Sequence, residues 1–192
     1  TMTEDDGTTP TGTITISDVD TGETPSFADV ASTAGSNGYG AFTLSSGTWS
    51  YAVNSNAIQS LDAEDSVTDS ITYTASDSNT QTITVTISGA NDAPVFAGGS
   101  TATASTAEGT TTVATYAATD VDGDDTPTYS ISGGADQAKF SVNTNTGALS
   151  FAAAPDYDSG TACAAGNSCV VELTATDGSL TDTITVTVSV TC

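Results

Sequence analysis

The sequence contains no histidine and one basic residue, Lys139, against 24 aspartates and glutamates, which gives a formal net charge of −23. Proteins that bind nucleic acid or anionic lipid surfaces neutralise phosphates with lysine and arginine. This composition therefore excludes nucleic acid as a partner. A zinc site is also not expected, because its usual ligands are histidine and cysteine and the chain has only three cysteines.

Long apolar runs are missing as well. Hydrophobic residues make up 36% of the chain, and no stretch approaches the roughly 20 consecutive apolar residues that span a bilayer. We therefore expect no membrane insertion. Without histidine, arginine or a cysteine–histidine pair, candidates for a general base or an activated nucleophile are few. The sequence predicts that the protein is not an enzyme.

The three cysteines, Cys163, Cys169 and Cys192, all lie near the end of the chain. A bond between Cys163 and Cys169 would close a small loop and contribute about 2 kcal/mol. Cys192 could instead pair with either of the others, and the sequence leaves the pairing open. Any such disulfide favours an oxidising, extracellular setting.

The chain contains an internal repeat. Ser17–Asp20 recurs as Thr119–Asp122, and Thr82–Ile87 recurs as Thr183–Val188, each about 100 residues later. Between the copies, Gly89 and Pro94 interrupt strand geometry around an adjacent amide and carboxylate. We therefore predict two domains, residues 1–90 and 91–192, joined by a linker at 89–94.

Each copy has the pattern of an all-β domain. Short segments with alternating apolar and polar residues, such as Thr48–Val53 and Ala148–Phe151, indicate half-buried strands. About seven strands in about 100 residues predict a Greek-key β-sandwich in each copy. The aromatic residues of these segments are predicted to be core: Phe42, Trp49, Tyr51, Tyr73, Tyr129, Phe140 and Phe151.

Acidic residues fall in short, repeated groups near strand ends. Four pairs of acidic residues separated by one residue recur in the same order in the two copies, at Asp18/Asp20 and Asp62/Glu64 in the first and at Asp120/Asp122 and Asp156/Asp158 in the second. Because alternate side chains share a direction in extended backbone, each pair could hold one ion. Calcium takes six to eight oxygen ligands from carboxylates, carbonyls and waters. The sequence therefore predicts calcium binding.

In its order of motifs, the second copy resembles a cadherin domain: Ala107–Gly109, Asp120–Gly123, Phe140–Leu149, Pro155–Asp158 and Leu173–Gly178. The first copy, from Thr3–Asp6 through Leu61–Glu64 to Asn91–Pro94, resembles the VCBS and cadherin-like repeats of large bacterial surface adhesins. These resemblances imply tandem β-sandwich domains of the cadherin or immunoglobulin type, with a calcium-binding linker between them.

The cadherin resemblance also implies a set of metal ligands. A junction site would use Glu4, Asp62 and Glu64 from the first domain, Asn91 and Asp92 from the linker, and Asp120, Asp122 and Asp177 from the second domain. A half-site that needs a preceding domain would use Asp18, Asp20 and Asp77. Another half-site, needing a following domain, would use Glu108, Asp156 and Asp158. Asp158 stands where the family usually has glutamate, and the linker is shorter than in animal cadherins.

The sequence-based interpretation is a calcium-rigidified extender or adhesion module of a large secreted or cell-surface protein. Its expected partners are neighbouring repeats of the same parent chain, and a surface polysaccharide or another adhesin. Two alternatives stay open at this point. One is a module that itself binds polysaccharide or protein, and the other is an accessory domain of a secreted carbohydrate-active enzyme.

Overall fold

The computed structural model describes residues 1–20, 22–123 and 125–192. Its internal contacts divide the chain into two compact units, Thr1–Asn91 (unit 1) and Asp92–Cys192 (unit 2). In the described part of the chain, no helix is long and apolar enough to cross a membrane. The domain bounds expected from the sequence, 1–90 and 91–192, stay a prediction.

Unit 1 consists of two antiparallel layers with one added parallel strand. A four-stranded sheet in the order β2-β5-β4-β3 contains β2 (Thr11–Thr13), β3 (Val30–Ala34), β4 (Gly40–Ser45) and β5 (Thr48–Val53). A three-stranded sheet in the order β1-β7-β6 contains β1 (Met2–Thr3), β6 (Ser66–Thr74) and β7 (Thr80–Ser88), with β1 parallel to β7. A short 3-10 turn, Ser55–Ala57, follows β5.

The core of unit 1 comes from the apolar face of each sheet. Phe42 and Tyr51 are fully buried, and their ring centroids lie 4.5 Å apart. Val85 and Ile87 of β7 supply the facing layer. Trp49 is half-buried and packs against this cluster. Because aromatic and branched side chains alternate with polar ones along β5 and β7, each strand buries one face and exposes the other.

Unit 2 repeats this plan with longer strands. Its four-stranded sheet, in the order β12-β15-β16-β9, contains β9 (Thr101–Ala107), β12 (Thr128–Gly133), β15 (Ser168–Thr176) and β16 (Thr181–Thr191), with β9 parallel to β16. A three-stranded sheet, β10-β14-β13, contains β10 (Thr112–Thr115), β13 (Phe140–Val142) and β14 (Ala148–Phe151). A two-stranded ribbon pairs β8 (Val95–Phe96) with β11 (Ala118–Thr119), and a 3-10 turn, Gln137–Lys139, precedes β13.

Strict alternation defines the core of unit 2. Along β15, every second side chain is buried, and Val171, Leu173 and Ala175 are fully inaccessible. The rings of Phe140 and Phe151 face this layer with centroids 4.4 Å apart. A sheet that buries one face and exposes the other to water requires this pattern.

A disulfide joins Cys163 to Cys169, and Cys192 is free and exposed. Both bonded cysteines are buried in the core of unit 2. The buried side chain of Asp136, which is 3% exposed, holds the loop that they close. The Asp136 carboxylate accepts hydrogen bonds from the backbone amides of Ala164 (2.6 Å) and Val170 (2.9 Å).

Replacing Cys163 and Cys169 together with alanine should lower the free energy of unfolding of unit 2 by about 2 kcal/mol, because the unfolded chain loses a short cross-linked loop. Urea unfolding monitored by far-ultraviolet circular dichroism would measure the change. Cys192→Ala is the matched control and should leave stability unchanged. Equal stability of the double variant and the wild type would show that Asp136 and the core hold this loop without the covalent bond.

The structure confirms the predicted all-β class, and most strands lie where alternation predicted them. The aromatic residues predicted as core are buried, except that Trp49 is half-buried. Among the strands longer than two residues, β3 and β9 are the two that the sequence did not indicate. Both consist of small residues, with Val30 as the largest side chain of β3 and threonine as the largest of β9.

Candidate metal centre

The Asp-Val-Asp motif adopts the same local conformation in both units. In unit 1, the amide of Asp20 donates to Asp18 Oδ1 (2.8 Å), and in unit 2 the amide of Asp122 donates to Asp120 Oδ1 (3.1 Å). An aspartate that accepts a hydrogen bond from the amide two residues on forms an Asx turn. The motif is therefore a turn and not the extended segment assumed from the sequence, and the first carboxylate of each pair orients the backbone of the second.

Three carboxylates of unit 2 converge at the end where this turn lies. Asp120 follows β11, Asp177 follows β15, and one carboxylate oxygen from each lies within 4.8 Å of one from Asp125 and from the other. The Asp177 carboxylate is oriented by its own turn, since Oδ1 accepts hydrogen bonds from the amides of Ser179 and Leu180. Strand ends thus bring together residues more than 50 positions apart in the sequence.

The donor set of this cluster fits a hard cation. Asp120 Oδ2 is buried and has no hydrogen-bond donor, although buried polar atoms are nearly always hydrogen-bonded. Three like charges at this separation repel one another, and the repulsion is strong where water is partly excluded. A divalent cation would provide both the missing partner for Asp120 Oδ2 and the compensating charge. Oxygen-only ligands select calcium over zinc or copper.

Asp122 holds the start of unit 2 against the cluster. Its side chain is 2% exposed, and its Oδ2 accepts a hydrogen bond from the backbone amide of Asp92 (2.7 Å). The donor of this bond is the backbone amide of Asp92, so the side chain of Asp92 is not needed for the contact. The start of unit 2 is thereby fixed to the turn that carries Asp120 and Asp122.

The predicted ligands of unit 1 differ in exposure. Glu4 is 6% exposed and lies just beyond β1, where its amide donates to the carbonyl of Ser88 (3.0 Å). Asp62 is half-buried, and Glu64 is exposed. Asp18 and Asp20 are exposed. The structure thus places one predicted ligand of unit 1, Glu4, in a buried position.

Asp77, which the resemblance assigns to the half-site with Asp18 and Asp20, already has local partners. Its two carboxylate oxygens accept hydrogen bonds from the backbone amide (2.9 Å) and the side-chain amide (2.8 Å) of Asn79. These bonds hold the pKa of Asp77 below its usual value. Asp77 therefore stays ionised at neutral pH, and it would exchange or share these bonds on binding an ion.

In unit 2, the acidic loop after Pro155 lies against Glu108. The amide of Tyr157 donates to Glu108 Oε2 (3.1 Å), and the amide of Ser159 donates to Asp156 Oδ1 (3.2 Å). Asp156 and Asp158 are both exposed. Glu108 and the loop are therefore adjacent, as the resemblance implies, but no cluster that includes Asp156 or Asp158 is formed among the described residues.

Asp125 is the member of the unit 2 cluster that the sequence reasoning missed. The signal that could have found it is its position five residues after Asp120, inside the same turn, and just before the Pro127 that ends the loop. The first copy has Glu23 at the equivalent position, 102 residues earlier and also two residues before a proline, so extending the repeat comparison beyond Asp122 would have indicated an acidic position here.

Two family models match successive parts of the chain. Residues 1–89 match the bacterial cadherin-like domain, and residues 101–191 match the cadherin domain. A comparison with curated proteins found no match. Domains of the cadherin family are typically non-enzymatic, extracellular adhesion modules.

Solved cadherin structures share the fold. Extracellular cadherin domains 1–4 of protocadherin gamma B7 are 20% identical over 98% of this chain and 47% of that chain, with a TM-score of 0.54. Domains EC22–24 of mouse cadherin-23 are 19% identical over 87% of this chain and 52% of that one, with a TM-score of 0.53. The chain thus spans about half the length of these structures. From the two family matches, this chain belongs to the cadherin-like proteins and contains two such domains in tandem.

Proposed function

We propose that the chain is a calcium-rigidified extender or adhesion module of a secreted or cell-surface protein. The proposed role is mechanical. Ions held between successive domains would stiffen the joint, so that an array of such domains projects a distant binding module away from the cell. The supporting observation is the cluster of Asp120, Asp125 and Asp177 in unit 2, where the buried Asp120 Oδ2 has no hydrogen-bond donor.

At the proposed junction, each unit contributes its own ligands. Unit 1 would supply Glu4, Asp62, Glu64 and the linker residue Asn91. Unit 2 would supply the linker residue Asp92 together with Asp120, Asp122, Asp125 and Asp177. When bound, calcium would bring charge compensation for these carboxylates and a preference for many oxygen ligands. The chain's own part is orientation. The Asx turn at Asp120 and the turn after Asp177 set the directions of the carboxylates before any ion arrives.

The remaining acidic residues would form half-sites that neighbouring repeats of the parent chain complete. Asp18, Asp20 and Asp77 would face a preceding domain, and Glu108, Asp156 and Asp158 a following one. The exposure of Asp18, Asp20, Asp156 and Asp158 agrees with this role, since each would await ligands from a neighbour. Calcium affinity depends on ligand charge and site rigidity, so these half-sites should be weaker than the junction.

The alternative of a polysaccharide-binding module has less support. Sugar sites usually present exposed aromatic rings, and Trp49 and most tyrosines of the described residues pack into the two cores. Tyr157, which is 38% exposed, is the single aromatic among the exposed large apolar side chains of the described residues. Adhesion to a surface polysaccharide or another adhesin would then depend on other parts of the parent protein.

Replacing Asp92 with alanine should loosen the joint without unfolding either unit. The variant removes a proposed shared ligand, whereas the backbone amide of Asp92 can still donate to Asp122. Interdomain surfaces within one chain are usually modest, so motion is the default once the ions are lost. Small-angle X-ray scattering of wild type and variant, each with calcium and with chelator, measures the distribution of interdomain distances.

We expect the variant in calcium to match the wild type in chelator. Asp158→Ala is the matched control, because it removes a carboxylate from the proposed half-site of unit 2 and not from the junction. Its scattering should stay that of wild type in calcium. An Asp92→Ala profile that kept the wild-type dimensions would assign the rigidity to side-chain packing and would contradict a linker-centred calcium site.

A further inference from the structure

The hairpin loop between β3 and β4 contains a chemically fragile peptide unit. Asn37 is the only asparagine of the sequence that precedes a glycine, and both Asn37 and Gly38 are exposed. Gly38 has φ +78°, and a Cβ placed on it would have no neighbour within 4 Å. Gly38 therefore presents no side chain, and the space where its Cβ would lie is open.

This loop covers the one carboxylate of unit 1 that is fully inaccessible among the described residues. Asp69 of β6 is 0% exposed. Its Oδ1 accepts a hydrogen bond from the amide of Asn37 (2.9 Å), and its Oδ2 accepts from the amide of Gly40 (3.1 Å) and the hydroxyl of Tyr51 (3.0 Å). Asp69 belongs to the three-stranded sheet, whereas Gly40 and Tyr51 belong to the four-stranded one. The carboxylate thus ties the two sheets together through the Asn37 loop.

The side chain of Asn37 completes the tie. Its Nδ2 donates to the carbonyl of Thr68 (2.7 Å), the residue before Asp69 on β6. Fit around Asp69 is tight: a Cβ on Gly35, in the same loop, would lie 2.2 Å from the carboxylate of Asp69. A change in backbone length or in side-chain charge at position 37 therefore acts directly on the contact between the sheets.

We propose that Asn37 is a site of spontaneous deamidation, and that its conversion releases the Asp69 tie and destabilises unit 1. When the Nδ2 bond to Thr68 opens, the deprotonated backbone nitrogen of Gly38 attacks Cγ of Asn37. The Cγ–Nδ2 bond breaks and ammonia leaves, giving a five-membered succinimide. Water then adds to one of the two ring carbonyls, and the chain reopens as aspartate or isoaspartate. Water is the only co-reactant, and no oxidant or reductant is needed.

Either product damages the tie. Aspartate at position 37 replaces the Nδ2 donor with a carboxylate oxygen facing the Thr68 carbonyl, and it adds a negative charge beside buried Asp69. Isoaspartate also inserts a methylene into the main chain, which displaces the Asn37 and Gly40 amides from Asp69. The Asp69 carboxylate then keeps only the Tyr51 hydroxyl and the Ser70 amide as donors, and a buried charge that loses hydrogen bonds is costly.

Incubation of the whole chain in warm, mildly alkaline buffer tests the proposal. Proteolysis with an enzyme that cuts at aspartate, followed by mass spectrometry, measures the gain in mass at each asparagine. Because the enzyme does not cut at isoaspartate, which has the same mass as aspartate, the cleavage pattern separates the two products. We expect Asn37 to convert well before Asn79, which is also exposed, lies in the same unit and has a hydrogen-bonded side-chain amide, but precedes threonine. Equal rates at the two positions would overturn the proposal.

Trp49 is the single tryptophan of the sequence and lies in unit 1, so its fluorescence measures the unfolding of that unit. The incubated protein should show a Trp49 unfolding transition lowered by about 10 °C relative to fresh protein. Asn37→Asp should reproduce part of the shift without incubation. Asn37→Gln, which forms its cyclic imide far more slowly, should show no further shift on incubation. Conversion at Asn37 with an unchanged Trp49 transition would overturn the proposal as well, because the tie would then not depend on this residue.

Discussion

Adding a chelator is expected to lower the melting temperature of unit 2 by about 10–20 °C relative to millimolar calcium. A ligand that binds only the folded state stabilises it in proportion to the logarithm of its concentration over Kd. Removing it also restores the repulsion among Asp120, Asp125 and Asp177, whose oxygens lie within 4.8 Å of one another. Differential scanning calorimetry with and without calcium measures the shift.

Asp120→Asn makes this test specific. Its Oδ1 can still accept the Asp122 amide, so the turn is retained, but one charge of the cluster is removed. We expect the variant to be at least as stable as wild type in chelator and less stable in calcium. Glu172→Gln is the matched control, since Glu172 lies in the same unit and bonds the Ser132 hydroxyl outside the cluster. Identical calcium shifts in Asp120→Asn and wild type would refute a site at this cluster.

Replacing Asp69 with alanine should destabilise unit 1 by about 3–5 kcal/mol, because buried donors would lose their acceptor. The amides of Asn37 and Gly40 and the Tyr51 hydroxyl all donate to this carboxylate. Burial and the hydrogen bond to Asp69 raise the pKa of Tyr51, so its hydroxyl stays protonated and remains a donor throughout the neutral range. Urea unfolding followed by Trp49 fluorescence measures the loss.

Tyr51→Phe is the graded comparison for Asp69. It removes one donor and leaves both amides bonded, so it should cost about 1 kcal/mol. If Asp69→Ala proved no worse than Tyr51→Phe, the tie between the sheets would come from packing around Phe42 and not from the carboxylate. Unit 2 is an internal reference in both variants, since its calorimetric transition should not move.

Strands with large alternating side chains could be predicted from the sequence, and strands of small residues could not. Thr48–Val53 and Ala148–Phe151 have the same bounds in the structure as in the prediction, because their period-two pattern is local. In contrast, β9 contains only alanine, serine and threonine. Its strand conformation depends on parallel pairing with β16, about 80 residues away. No local pattern contains that partner.

The residues of the candidate metal centre likewise fall into those that the sequence predicts and those that it does not. Asp120 and Asp177 are recognisable because the repeat and the family motif both include them. Asp125 lies outside the family motif, and although Glu23 is its counterpart in the first copy, its place in the cluster follows from the path of a turn. Asp69 gave no signal either, since its partners are backbone amides and a tyrosine hydroxyl from 18 to 32 residues earlier in the chain. Buried carboxylates bonded to main-chain donors become visible only when the fold is known.

The parallel pairing of an early strand with the last strand determines how each unit carries tension. In unit 2, β9 runs alongside β16 from Thr101 to Ala107, so pulling the two ends apart slides these strands along one another and loads their hydrogen bonds together. In unit 1, the same pairing extends only over Met2 and Thr3. Force applied along the chain therefore meets a long shear clamp in unit 2 and a short one in unit 1. We therefore expect unit 1 to unfold under tension before unit 2, and unit 1 is also the unit whose sheets are held together through Asn37.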